Sequence, residues 1–209
     1  MHSDAQLHVF GSKAQLEKAT GSILWYALGV VAIRRLRVAE WEALRDVRLR
    51  ALADAPHAFL TTLAEAERRS EPDWRELARR GVSGDHQSTF VAEDAGRLVG
   101  MATGYFPDER HRELDDPKVA SLIHMWVEPA VRRGGVGRRL VQAVLAWAAE
   151  RGSPVVRLEV NASDTGAIAL YEHVGFRDTG RREGTFPGRD TLAMEMEAPN
   201  VVAASVVPS

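Results

Sequence analysis

The chain has 209 residues, of which 45% are hydrophobic and 27% charged, and its formal net charge is -2. These values are typical of a folded globular domain, and the small net charge excludes nucleic-acid binding driven by overall basicity. The chain has no cysteine, which excludes disulfides, thiolate metal sites and a cysteine nucleophile, and is compatible with a cytoplasmic location. Its seven histidines show no metal-ligand spacing, so we predict no metal.

The two ends of the chain lack the pattern of the rest. An apolar run within residues 22–33 holds about a dozen residues, whereas a membrane-spanning helix needs about 20. Arginines follow the run in place of a small-residue cleavage site, which disfavours a secretory signal. We therefore predict no membrane span, an N-terminal extension over residues 1–29, one domain over residues 30–197 and a C-terminal tail over residues 198–209.

The first half of the domain combines a strand, helices and a hairpin. Residues 30–36 are predicted as a strand, and apolar residues recur every three or four positions over residues 39–53, the period of a half-buried helix. A second helix is predicted to end near Arg69, and residues 70–73 (Ser-Glu-Pro-Asp) are typical of a new helix start. Residues 90–106 form a predicted hairpin.

The second half of the domain begins with a strand over residues 122–127. This strand lacks polar alternation, as expected of a central strand that is covered on both faces. A helix is predicted over 135–150, an alternating strand over 155–160, a helix from 164 or 165 to 173, and a final hairpin over 176–197. The predicted order is β-α-α-β-β-β-α-β-α-β-β, a mixed α/β fold.

A glycine-rich turn connects the central strand to the helix that follows it. Pro129 ends the strand because it cannot donate a ladder hydrogen bond, and the glycines allow a tight turn without a Cβ to block a ligand. The first helical turn offers unpaired N–H groups and the positive end of the helix dipole, which both favour a bound phosphate. The residues of this predicted anion cradle are Arg132, Arg133, Gly134, Gly135, Val136, Gly137 and Arg138.

The spacing within the anion cradle distinguishes it from two other phosphate-binding loops. No Lys-Ser/Thr pair follows Gly137, which excludes a Walker loop, and only half of the Gly-x-Gly-x-x-Gly dinucleotide pattern occurs. The pattern Arg132-x-x-Gly135-x-Gly137 after an apolar strand resembles the pyrophosphate motif of the GCN5-related N-acetyltransferase (GNAT) superfamily. Residues 161–176 resemble the second cofactor segment of that superfamily, an asparagine followed by Ala-x-x-x-Tyr-x-x-x-Gly-Phe.

This resemblance implies a fold, a cofactor and site residues. In the GNAT superfamily the two central strands of a mixed sheet splay apart, and acetyl-CoA lies in the opening with its pyrophosphate on the glycine turn. By analogy, the pantetheine arm would run like an extra strand along Met125, Trp126 and Val127, and Asn161 would hydrogen-bond it. Tyr171 would lie beside the sulfur as the acid for the departing thiolate, and a backbone N–H near Val127 would stabilise the oxyanion.

The general base departs from the superfamily pattern. Members often carry Glu or His nine or eleven residues before the motif arginine, where this chain has Ile123 and Ser121. His124 is one residue away, so regular pleating turns it to the other face unless a β-bulge re-aims it. We predict His124 as the base and keep Glu128, Glu93 and ordered water as alternatives.

The predicted function is N-acetyl transfer from acetyl-CoA to a primary amine. Direct attack in a ternary complex is expected, since no cysteine is present to hold an acyl group. The predicted partner is a small-molecule or protein amine, without nucleic acid, and a homodimer is left open. The alternative is a non-catalytic acyl-CoA sensor or scaffold on the same fold, which the missing strand carboxylate would indicate.

Overall fold

The computed structural model describes residues 31–82, 84, 86–107, 116–185 and 192–200, with only the backbone described for residues 183–185. The predicted N-terminal extension lies outside these residues, as does most of the predicted tail. Within the described residues the chain forms one seven-stranded sheet and five α-helices. No helix in this part of the chain is both long and apolar enough to cross a membrane.

The elements follow the order β-α-α-α-β-β-β-α-β-α-β-β. The strands are β1 (Ala32–Arg35), β2 (Gln87–Asp94), β3 (Arg97–Tyr105), β4 (Ala120–Val127), β5 (Val155–Asn161), β6 (Arg177–Thr185) and β7 (Leu192–Pro199). The α-helices are α1 (Trp41–Asp54), α2 (Leu63–Glu67), α3 (Glu71–Val82), α4 (Val136–Glu150) and α5 (Thr165–Val174). Three short 3₁₀ helices cover Val38–Glu40, Pro56–Ala58 and Pro129–Val131.

Local hydrogen bonds explain where two of the helices begin. Before α3, the Asp73 N–H donates to Ser70 Oγ (3.4 Å) and the Ser70 N–H donates to Asp73 Oδ2 (3.0 Å). At α5, the Asp164 side chain accepts a hydrogen bond from the Ala167 N–H (3.0 Å). Gly175 ends α5 in the left-handed conformation with φ 109°. These starts and the glycine stop agree with the sequence-based expectations.

The sheet has the strand order β1-β2-β3-β4-β5-β7-β6. The pair β4 and β5 is parallel, and every other neighbouring pair is antiparallel. Helix α4 provides the connection between the two parallel strands, as a parallel crossover requires. The sheet is therefore mixed, and its parallel pair lies at the centre.

Helices cover both faces of the sheet and form two hydrophobic cores. Helices α1 and α3 pack on one face, which we call the α1 face, through buried residues such as Val47 and Trp74. Helices α4 and α5 pack on the other, the α4 face, through residues such as Leu140 and Tyr171. Burial on both faces explains why β4 lacks polar alternation. The predicted mixed α/β fold is confirmed.

The structure has three α-helices between the first two strands, whereas the predicted order has two, and several boundaries also differ from the sequence-based expectations. Strand β1 covers only Ala32–Arg35, and the predicted second helix is the five-residue α2. Strand β7 continues to Pro199, two residues past the predicted end of the domain at residue 197. It does so because Ala198 pairs with Val156 and is buried, which apolar periodicity over so few residues does not reveal.

Candidate active site

The site is built around an opening between β4 and β5. These strands pair only at Ala120 with Val156 and at Ser121 with Arg157. Beyond Ser121 the ladder between them ends, although β4 continues for six residues to Val127. The predicted splaying of the central strands is therefore confirmed, and the carboxyl-terminal half of β4 has a free edge toward β5.

The backbone of β4 presents hydrogen-bonding groups to this opening. The Glu128 N–H donates to Val99 O of β3 (2.8 Å). The backbone groups of Glu128 and Trp126 therefore face β3. Successive residues of a strand direct their backbone groups to opposite edges, so those of Met125 and Val127 point toward β5. Val127 O accepts a hydrogen bond from Arg132 Nε (2.8 Å), so the Val127 N–H and the groups of Met125 are the ones an extended ligand arm would pair with.

The glycine turn places the start of α4 at the mouth of the opening. Gly135 precedes α4 with φ 75°, a left-handed conformation that favours glycine, and no side chain caps this helix. A Cβ built on Gly135 meets nothing within 4 Å, so the turn is open. A Cβ on Gly137 would lie 3.3 Å from Met125 of β4 and 3.2 Å from Leu170 of α5. The first turn of α4 therefore lies between β4 and α5.

The three arginines of the predicted anion cradle differ in their contacts. Arg133 and Arg138 are exposed, and neither forms an ion pair with the described residues. Arg132 instead donates through Nε to Val127 O (2.8 Å) and forms a close ion pair with Asp54 of α1. Arg132 therefore holds the turn against α1, and its role in binding the cofactor stays a prediction.

Asp54 is the centre of this small network. Its Oδ2 also accepts a hydrogen bond from Trp126 Nε1 (2.9 Å). Burial alone would raise the pKa of Asp54, but the hydrogen bonds from Trp126 and Arg132, with the charge of Arg132, outweigh it and lower the pKa. The Trp126 side chain thus packs toward the α1 face, and only its backbone belongs to the strand beside the opening.

His124 lies in a β-bulge of β4. The register with β3 shifts between Met101 and Thr103, so His124 and Met125 lie opposite a single residue, and His124 has φ 57°. Its imidazole is half-buried. Burial lowers the pKa of His124, and the positive charges of Arg48 and Arg69 lower it further. The imidazole is neutral at pH 7, the form that accepts a proton.

The two alternative carboxylate bases are paired with arginines. Arg97 donates to both carboxylate oxygens of Glu128, at 2.6 and 2.9 Å, and Arg50 lies 3.2 Å away. The hydrogen bonds from Arg97, with the charges of Arg50 and Arg97, lower the pKa of Glu128 despite its burial. Glu93 is on β2, which β3 separates from β4, and accepts a hydrogen bond from Arg34 (2.6 Å). Neither arrangement favours a proton acceptor at the opening.

Asn161 lies at the end of β5, on the far side of the opening from β4. Its side-chain oxygen accepts hydrogen bonds from the Ser163 N–H (2.9 Å) and the Ser163 hydroxyl (2.8 Å). Both oxygen contacts therefore stabilise the turn before α5, and the amide NH₂ is left as the donor group. Asn161 is 5% exposed, so this donor is held in a nearly fixed position.

Tyr171 is buried in α5 with 7% of its surface exposed. Its ring lies 5.7 Å from that of Phe176, centre to centre. No described residue forms a hydrogen bond with its hydroxyl. Burial raises the pKa of Tyr171, and the negative charge of Asp164 raises it further. The hydroxyl is therefore protonated throughout the physiological pH range, as a proton donor must be.

Comparison with known sequences identifies the family. A model described as Acetyltransferase (GNAT) family matches residues 41–176, more than half of the chain. This chain belongs to the GNAT family. The match spans the anion cradle, the bulge in β4 and the second cofactor segment, and it confirms the resemblance noted in the sequence.

Curated GNAT relatives share about a third of their aligned residues with this chain. Mycothiol acetyltransferase of Thermobispora bispora is 33% identical over 135 residues, 65% of this chain and 42% of that protein. [Ribosomal protein bS18]-alanine N-acetyltransferase of Escherichia coli K12 is 30% identical over 118 residues, 56% of this chain and 73% of that protein. The alignments thus cover half or less of several relatives, including the mycothiol enzyme.

A solved structure shows the same fold. An acetyltransferase of Salmonella typhimurium, solved with its cofactor acetyl-CoA, superposes with a TM-score of 0.66 at 19% sequence identity. The superposition covers 86% of this chain and 98% of that one. At this identity the likeness establishes the fold alone.

Sequence reasoning missed two residues of this GNAT domain. Asp54 directly follows the predicted helix over residues 39–53, yet it connects α1 to β4 and to the glycine turn. Arg48 lies four residues after Leu44 and four before Leu52, on the buried face of α1, and is 4% exposed. This spacing was the available signal.

Proposed function

We propose that this GNAT protein transfers the acetyl group of acetyl-CoA to a primary amine by direct attack in a ternary complex. The observation that carries the proposal is the opening between β4 and β5, with the uncapped start of α4 at its mouth. This arrangement offers an extended edge for a long, narrow ligand and a helix terminus for its phosphates. Membership of the GNAT family supports the same cofactor.

Each part of acetyl-CoA has a matching group on the protein. The first turn of α4, with Arg133 and Arg138, suits the pyrophosphate through N–H groups and positive charge. The backbone edge of β4 at Met125 and Val127 suits the amide groups of the pantetheine arm. The NH₂ of Asn161 is a donor for the same arm from the opposite strand.

The reaction forms one bond to the acetyl carbon and breaks one, and it moves two protons. The amine nitrogen bonds to the acetyl carbon, the carbon–sulfur bond breaks, the nitrogen loses a proton to a base, and the sulfur takes up a proton. The Val127 N–H, on the free edge of β4, is the proposed donor to the carbonyl oxygen as negative charge develops there. Tyr171 is the proposed hydrogen-bond and proton donor to the departing sulfur.

His124, alone or through ordered water, is the proposed base. Its neutral imidazole is held at the bulge in β4, whereas Glu128 and Glu93 are paired with arginines. The acceptor is a small-molecule or protein amine, in line with relatives that are named for mycothiol and for a ribosomal-protein alanine. We keep as predictions a cytoplasmic location, a function without nucleic acid or metal, and a possible homodimer.

The alternative is an acyl-CoA sensor on the same fold. The observation that favours it is the absence of a carboxylate at Ile123 and Ser121, combined with the engagement of Glu128 by Arg97. A sensor would bind acetyl-CoA without consuming it.

Thiol release from acetyl-CoA tests the proposal directly. The full chain is incubated with acetyl-CoA and separate amines, namely amino acids, polyamines, aminoglycosides and peptides with free N-termini or lysines. Amine-dependent release that far exceeds the rate without amine supports transfer. Binding of acetyl-CoA without release for any of these amines supports the sensor and contradicts the proposal.

A further inference from the structure

Arg48 is a buried arginine whose guanidinium lacks a full set of partners. It lies in the middle of α1, is 4% exposed, and its Nη1 has no hydrogen-bond partner. No carboxylate of the described residues forms an ion pair with it. A buried positive charge without an anion is costly, and a bound anion would offset that cost.

The surroundings of Arg48 hold its guanidinium in one orientation. Its central carbon lies 4.5 Å from the centre of the Phe59 ring, so the group is stacked on the aromatic face. A guanidinium held in this way offers its N–H groups along its edge, which matches the two oxygens of a planar carboxylate. Burial and the neighbouring Arg69 lower the pKa of Arg48 to about 10, so it still carries its charge at pH 7.

Arg48 lies on the α1 face of the opening, across the sheet from the anion cradle. The end of α1 is fixed over the end of β4 by the contact of Asp54 with Trp126 (2.9 Å). Arg48 precedes Asp54 by six residues in α1, and His124 precedes Trp126 by two residues in β4. Both residues therefore lie further from the ends of α1 and β4 than the contact between Asp54 and Trp126 does. The effect of the Arg48 charge on His124 agrees with this proximity.

The loop after α1 brings this region to β5 as well. The 3₁₀ helix Pro56–Ala58 contacts β5, and His57 Nε2 lies 3.8 Å from Asp164 Oδ2 at the start of α5. Phe59, on which Arg48 stacks, directly follows this segment. Arg48 and Phe59 therefore lie in the layer that covers the opening on the side away from the cofactor cradle.

We propose that Arg48 binds a carboxylate of the acceptor, so that this protein selects amines that carry a carboxylate over neutral or polycationic amines. Arg69 adds positive charge to the same place. This proposal rests on acetyl transfer as the function, because it assigns the acceptor to the α1 face while the cofactor enters from the α4 face. It narrows the substrate class to amino-acid-like amines or peptides with an acidic group beside the amine.

The test compares matched ligands that differ only in the carboxylate. Rates of thiol release are measured for amino acids and for their carboxamides, with wild type, Arg48→Met and the control Arg45→Met, which alters an exposed arginine of the same helix. We expect wild type and the control to prefer the acids by at least about tenfold in kcat/KM, or about 1.4 kcal/mol. Arg48→Met should lose this preference and keep the thermal stabilisation by acetyl-CoA.

A second measurement separates this proposal from the proposed function. Thermal shifts with N-acetyl amino acids and with N-acetyl amino-acid amides report carboxylate binding without turnover. Acid-specific stabilisation of wild type that is absent in Arg48→Met supports the subsite even if no amine is acetylated. Equal responses to acids and amides, including no response to either, overturn it.

The stability of Arg48→Met provides the final check. Replacement of an unpaired buried charge by a side chain of similar length is expected to leave the melting temperature unchanged or to raise it. A melting temperature lowered by more than a few degrees would show that Arg48 serves the fold and would contradict a ligand-binding role.

Discussion

Tyr171 is the side chain on which the proposed chemistry depends most. The ordinary pKa of a phenol exceeds that of a thiol by about 1.5 units, and burial raises the pKa of Tyr171 further. Burial in the same cleft also raises the pKa of the departing thiol, since both groups are neutral when protonated. Tyr171 is therefore expected to donate as the carbon–sulfur bond breaks, rather than to protonate a free thiolate.

Tyr171→Phe removes this donor and keeps the ring that packs against Phe176. We expect kcat to fall at least about tenfold, because positioned acid catalysis contributes typically 10²–10⁴-fold, whereas acetyl-CoA affinity should change by about 1 kcal/mol or less. Steady-state kinetics and acetyl-CoA binding are the measurements, with Tyr105→Phe as the matched control. A kcat within twofold of wild type, with chemistry rate-limiting, would make Tyr171 a packing residue.

His124 is expected to make the protein sensitive to acid. Its pKa in the folded chain lies below the ordinary value of about 6.5, so between these values only the unfolded chain binds the proton. The free energy of unfolding therefore falls as pH decreases below about 6.5, by at most about 1.4 kcal/mol per pH unit from this group.

His124→Gln should lack this component. Urea denaturation of both proteins from pH 8 to pH 5 gives the difference between their free energies of unfolding. We expect that difference to be constant above about pH 7.5 and to shift in favour of the variant below about pH 6.5. A difference that stays constant over the whole range would show that the pKa of His124 is not lowered by folding.

At the scale of elements, Asp54 connects α1 to β4 and to the turn before α4. Asp54→Asn keeps the size of the side chain but removes the charge that pairs with Arg132. Because the pair is partly exposed, we expect a loss of about 1 kcal/mol in the free energy of unfolding. The KM for acetyl-CoA should rise several-fold, since the glycine turn loses its attachment to α1.

The control for this prediction is Asp46→Asn, which breaks an exposed pair with Arg50 on the same helix. It should cost only about 0.3–0.5 kcal/mol and leave the KM for acetyl-CoA unchanged. Equal effects of the two substitutions on KM would mean that the turn is held without Asp54.

Elements whose signals are local were predictable from the sequence, whereas contacts between distant elements were not. The caps at Ser70 and Asp164 and the stop at Gly175 depend on residues within four positions. The contacts of Asp54 with Trp126 and Arg132 join positions 72 and 78 residues apart. Nothing in the local pattern of a helix end specifies which strand it will meet.

For the whole molecule, two motifs indicated the fold and most of the site because each has a particular structural requirement. The glycine turn needs a left-handed residue at Gly135, and the asparagine at the end of β5 fits a turn in which its side-chain oxygen accepts hydrogen bonds. The prediction of His124 as the base required a bulge in β4 but could not specify one, since the register of β4 and β3 is set only when the strands pair. The proposed acceptor subsite was not predictable from the sequence, because Arg48 belongs to no motif.

The proposed function requires acetyl-CoA to bind with its pyrophosphate at the start of α4. The most direct measurement is the thermal stabilisation of the full chain by acetyl-CoA, with Gly135→Asp and the control Gly152→Asp. The two glycines have nearly equal φ, 75° and 74°, and a Cβ on either meets nothing within 4 Å, so the backbone strain of substitution is matched. Gly135→Asp alone places a side chain and a negative charge in the cradle.

Wild type and Gly152→Asp should be stabilised by about 2.7 kcal/mol at a hundredfold excess of acetyl-CoA over Kd, or roughly 5–10 °C in melting temperature. Gly135→Asp should remain folded and lose most of this shift. An unchanged shift in Gly135→Asp, or an equal loss in both variants, would contradict the account.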